Sequence, residues 1–106
     1  MKILFDQGTP LPLRRHLRPH RVDSAAELGW SRLQNGELLD RAEAAGYEVL
    51  DTTDQQLRHQ QKLEGRRIRV LVLMTTSWPR IRPRADEVRS KLQQMGEGQY
   101  GEMSPY

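Results

Sequence analysis

Apolar and polar positions fall into short blocks along this chain, and the blocks predict alternating strands and helices. Lys2 to Phe5 is an apolar run stopped by Asp6, after which Gln7, Gly8, Thr9 and Pro10 supply turn chemistry. This predicts a strand, then a helix capped by Thr9 with Pro10 at its first position. Leu13 and Leu17 lie four apart on that helix, which ends near Arg18 because Pro19 follows. Arg21 to Asp23 fits a brief second strand, and Ser24 to Gln34 has no clean period and reads as loop or partial helix. From Gly36 the spacing of Leu38, Leu39, Ala42 and Ala45 is helical, with Asn35 as a cap and Gly46 at the end. Tyr47 to Leu50 reads as a strand closed by a turn of Asp51, Thr52, Thr53 and Asp54, and Gln55 to Lys62 as a polar helix anchored by Leu57. Ile68 to Met74 is the most apolar stretch, continuous enough for a strand covered on both faces near the centre of a sheet. A last helix carries Ile81, Ala85, Val88, Leu92 and Met95, with Pro83 in its first turn and Gly96 at its end. Gln99 to Met103 suits an edge strand, and Ser104 to Tyr106 a fraying tail.

Strands alternating with helices over 106 residues argue for a single α/β domain spanning 1–106, a mostly parallel sheet covered by helices in a three-layer α/β/α arrangement. Composition narrows the chemistry. There is no cysteine, which excludes disulfides, thiolate metal sites and cysteine nucleophiles. No apolar run reaches the roughly 20 residues of a membrane span, and the first residues lack a signal-peptide core, so no membrane association and a cytoplasmic location are expected. The net charge is only +3, but fourteen of the seventeen cations are Arg, a residue suited to bidentate phosphate contacts as well as favoured by GC-rich coding. Arg14, Arg15, Arg18 and Arg21 form one group; Arg66, Arg67, Arg69, Arg80, Arg82 and Arg84 form another, with no acid between Gly65 and Ala85.

In an open parallel sheet, functional groups collect at the carboxyl ends of the strands. Asp6 ends the first strand, Thr52, Thr53 and Asp54 the third, and Thr75, Thr76 and Ser77 the fourth. If the first and third strands are neighbours, Asp6 and Asp54 converge, and Glu37 near the start of the middle helix approaches the same edge. Such carboxylates suit magnesium, which prefers hard oxygen ligands and uses one or two carboxylates with water and phosphate oxygens. Arg14, Arg15, Arg80 and Arg82, with Thr53 and Thr75, are then candidates for holding a nucleic-acid backbone. Each acid also stands where an Asp caps a helix. Asn35 and Glu37 fit ordinary helix starts, and Asp51 fits a turn. His16 and His20 are separated by Pro19 and share no helical face. Trp78, beside Pro79, fits either a core indole or a base-stacking ring.

The segments KILFDQGTP, AAELGW, NGELL and VLDTTDQQL together resemble the small PIN-like domains of bacteria, a family of ribonucleases often encoded as toxins beside an antitoxin. The likeness runs from about Lys2 to Trp78. It implies an α/β/α fold, a magnesium or manganese centre, and hydrolysis of RNA phosphodiesters, with Asp6 and Asp54 as metal ligands and Glu37 in the acidic region of the middle helix. It also implies an RNA substrate, a cognate antitoxin and pairing into homodimers. Asn35 stands where that family commonly has an Asp, which leaves open a catalytically weakened module that binds nucleic acid or protein without cutting. A phosphoacceptor receiver domain also places Asp at the first and third strands. It needs a Lys after the fifth strand and a second acid beside Asp6, and this chain has neither.

Overall fold

The structure is a computed structural model that describes residues 1–104. Five strands, β1 (Lys2–Phe5), β2 (Arg21–Ser24), β3 (Val49–Thr52), β4 (Arg69–Leu73) and β5 (Tyr100–Met103), form one sheet in the order β2-β1-β3-β4-β5. Every adjacent pair is parallel. A 3-10 helix, Leu11–Leu17, links β1 to β2; α1 (Asn35–Ala44) links β2 to β3; α2 (Leu57–Gln60) links β3 to β4; and α3 (Trp78–Ile81), a 3-10 turn and α4 (Ala85–Gln94) lead to β5.

Side-chain alternation divides the core into two layers, one on each face of the sheet. Ile3 and Phe5 of β1, Val49 of β3, and Leu71 and Leu73 of β4 face the 3-10 helix and α4, meeting Leu13, Leu17, Val88 and Leu92. Leu4, Leu50, Val70 and Val72 point the other way, onto Leu38, Leu39 and Ala42 of α1 and Leu57 of α2. Burial of each of these Leu side chains contributes about 2 kcal/mol. The arrangement is the α/β/α sandwich expected from the alternation of elements. β4 is an inner strand, and β3 takes the middle place.

Several boundaries differ from the sequence pattern. β3 begins two residues later than Tyr47, whose ring is buried beside the α1 layer, and it runs through Asp51 and Thr52. The polar helix shortens to the single turn of α2. The last helix breaks at residues 82–84, where Pro83 lacks the N–H that would continue the ladder. No helix among the described residues is long and apolar enough to cross a membrane. Of the expected tail, Pro105 and Tyr106 lie outside the described residues.

Candidate functional site

The chain winds from β1 to β2 on one side and returns to β3 on the other, so a crevice opens above the carboxyl ends of β1 and β3. Asp6 directly follows β1 and Asp54 stands two residues beyond β3. The Thr52 hydroxyl donates to Asp6 Oδ2, and Thr52 Oγ1 accepts the Asp54 backbone N–H at 3.0 Å, so one side chain ties the two acids together. The second oxygen of each acid is held locally. Asp6 Oδ1 accepts the Gly8 N–H at 3.2 Å, and Asp54 Oδ1 the Gln56 N–H at 2.9 Å. Asn35 Nδ2 donates to Asp54 Oδ2 at 2.5 Å. Thr9 does not cap the 3-10 helix; its hydroxyl lies 2.8 Å from Asp6 Oδ1 and 2.9 Å from the Asp51 carbonyl oxygen, bracing the same crevice. Both acids thus hold the turns that follow their strands, and neither side chain caps a helix: the 3-10 helix starts after Pro10 and α2 after Gln56, without a side-chain cap.

Beside Asp6 a cleft of about 110 Å³ is lined by Gln7, Ala25, Trp30, Ser31, Leu33, Asn35 and Leu38. Trp30 meets Tyr47 edge-on, with ring centroids 6.1 Å apart. Tyr47 is fixed in turn by donation of its hydroxyl to Asp23 at 2.6 Å and by the Lys2 ammonium 4.3 Å from its ring centre. Burial and the bond to Asp23 push the Tyr47 hydroxyl up to about 12, so it stays a donor at neutral pH.

Glu37 is not brought to this pair. It is exposed and lines a shallow hollow with Asp40, Arg41 and Ala44 on α1. Two residues on a helix are turned by about 200°, so once Asn35 faces Asp54, Glu37 points away. Among the described residues no three acidic or histidine side chains gather as a metal-binding group. Thr53 is half-buried against the β1 loop, its hydroxyl 2.3 Å from where a Cβ on Gly8 would sit. Thr75 Oγ1 accepts the Ser77 N–H at 3.0 Å in the turn before α3. Arg15 and Arg82 are exposed, and Arg80 lines a small apolar recess with Thr75 and Ile81. Arg66, Arg67 and Arg69 precede or begin β4 and lie at the opposite edge of the sheet. There Arg66 pairs with Glu43 at 2.6 Å and Asp40 at 2.9 Å, and Arg69 donates to the Met95 carbonyl at 2.8 Å. Arg66 and Arg69, two of the six in the second Arg group, therefore brace the fold. His16 meets Trp78 at a tilt, with centroids 5.6 Å apart, and His20 Nδ1 lies 2.8 Å from the chain's amino terminus.

Arg14 is also engaged. It pairs with Glu27, whose carboxyl is held down at about 2 by that guanidinium and by bonds from Ser24. Ser24 and Glu27 form a reciprocal pair: Ser24 N–H donates to Glu27 Oε1 at 2.9 Å, and Glu27 N–H to Ser24 Oγ at 3.1 Å. Ser24→Ala removes one half of this lock and is expected to cost about 1 kcal/mol, lowering the melting temperature by about 4–8 °C, as thermal denaturation followed by circular dichroism will show.

One group at the site escaped the sequence pattern altogether. Asp51 lies inside β3, between Phe5 and Leu71 in register, with 0% of its surface exposed. Neither carboxyl oxygen has a hydrogen-bond partner among the described residues. Burial pushes this carboxyl up to about 8, and the negative charge of Asp6 adds to the effect. No family model, curated protein or solved structure matches the chain.

Proposed function

We propose that the chain is a PIN-like ribonuclease that hydrolyses RNA phosphodiesters with a magnesium or manganese ion held between Asp6 and Asp54. The observation that carries this reading is the pair itself: two acids from distant parts of the chain at the crevice where the winding reverses, the Asp6 carboxylate and the Asp54 backbone N–H meeting on one Thr52 hydroxyl. The donor set fits such an ion, since two carboxylates supply hard oxygens and leave room for water and phosphate oxygens. When bound there, the ion lowers the proton affinity of a water and offsets negative charge on the phosphodiester. Thr52 fixes the orientation of Asp6, and Asn35 that of Asp54, as supporting hydrogen bonds do around metal ligands. Exposed Arg15, Arg32 and Arg82 are the cations offered to backbone phosphates.

Purified protein incubated with RNA and magnesium or manganese is expected to cleave it. Asp54→Asn is expected to reduce the rate by at least about 100-fold, beyond the usual effect of losing a supporting residue, and Thr52→Val by about 10- to 100-fold. Equal cleavage by wild type and Asp54→Asn would remove the mechanism. The absence of a third acid at the pair, among the described residues, favours a second reading: a module that grips RNA without cutting it. Calorimetry decides, because that module takes up no manganese at millimolar concentration.

A further inference from the structure

We infer that the cleft beside Asp6 is a subsite for one unstacked single-ring base of the RNA, with Trp30 as its stacking platform; this rests on the ribonuclease reading above. The lining combines what a splayed base requires. Trp30 supplies an aromatic ring, Leu33 and Leu38 supply apolar walls, and Gln7, Ser31 and Asn35 supply polar groups for a base edge. The volume, about 110 Å³, equals that of about four waters. It accommodates a flat single ring, with sugar and phosphate at the open mouth of the cleft.

Their exit is set by the neighbours of the cleft. Asp6 lines it on one side, which puts the phosphate of the held nucleotide toward the Asp6–Asp54 pair. Next to Ser31 stands Arg32, exposed and without an ion-pair partner among the described residues, a cation for the adjoining phosphate. The platform is also pre-set. The Trp30 backbone N–H donates to the Ala25 carbonyl at 2.8 Å, which holds the main chain there, and Tyr47, itself anchored by Asp23 and Lys2, buttresses the indole. Ordering cost on binding is correspondingly small. Trp78, the other indole, packs against the opposite core layer with its ring tilted against His16, so it is not the platform.

The test uses Trp30 as its own reporter, in full-length Trp78→Phe protein with circular dichroism confirming the fold. Binding is measured in EDTA, so that no strand is cut. Oligouridylate is expected to quench Trp30 fluorescence, an abasic ribose-phosphate oligomer of equal length to leave it unchanged, and oligoadenylate to bind more weakly. Trp30→Leu, read by fluorescence anisotropy of labelled oligouridylate, is expected to weaken binding by about 10-fold or more while manganese uptake stays unaltered. Equal binding of the abasic oligomer, or unchanged affinity in Trp30→Leu, overturns the subsite; equal binding of oligoadenylate overturns its single-ring limit. Base-dependent quenching without cleavage keeps the subsite and removes the ribonuclease reading. Cleavage indifferent to base and to Trp30 does the reverse.

Discussion

Wild-type protein is expected to lose stability steadily as pH rises from about 4 to about 8, and Asp51→Asn to abolish most of that slope. In the unfolded chain Asp51 releases its proton near the ordinary value of 3.8, whereas in the folded sheet burial holds the proton until about 8. Between these limits the folded state binds more protons than the unfolded one, so stability is greatest below the lower value and falls as pH climbs through the higher. One proton sets a ceiling of about 1.4 kcal/mol per pH unit, and the loss across the window reaches several kcal/mol for a group without exposure or partner. Asp51→Val goes further. Val matches Val49 on the same face of β3 and removes the buried carboxyl, and it should raise stability at neutral pH by about 2 kcal/mol. Urea unfolding at pH 5 and pH 8 checks both variants; a wild-type midpoint unchanged between them would show that Asp51 is not held protonated by the fold.

Gly98→Ala is expected to destabilise by about 3 kcal/mol, combining the left-handed backbone penalty with overpacking. Gly98 has φ +73°, and a Cβ there would lie 2.5 Å from the Arg66 carbonyl oxygen, an atom fixed by the turn that precedes β4. Gly98 N–H also donates to the Arg67 carbonyl at 2.9 Å, clamping the start of β5 to the start of β4. Gly46→Ala is the control. Its φ is +83° with no atom within 4 Å of the added carbon, so only the conformational part, about 1 kcal/mol, applies. Hydrogen exchange should show protection lost first at residues 100–103 in Gly98→Ala; equal losses in the two variants would exclude the clash.

That Asp6 and Asp54 follow the ends of neighbouring parallel strands was readable in the sequence, because an apolar run ended by an acid marks a strand end and a parallel sheet gathers such ends at one edge. Which helix residue reaches them was not. Asn35 and Glu37 are two apart, and the orientation of α1, fixed by Leu38, Leu39 and Ala42 in the core, decides between them. Asp51 was hidden for a related reason. Its turn propensity, between Leu50 and Thr52, is overridden by the register that pairs it with Phe5 and Leu71. The Arg cluster misled through linear proximity: β4 separates Arg66, Arg67 and Arg69 from Arg80, Arg82 and Arg84 by about 16 Å of strand, sending them to opposite edges.

The strand order also sets a timetable. Phe5 meets Ser24 across a short stretch of chain but must wait for Asp51 on its other flank. While the polypeptide leaves the ribosome, β1 and β2 can zip together long before Thr52 and Asp54 have been translated. The crevice above β1 and β3 is therefore complete only after most of the scaffold has emerged.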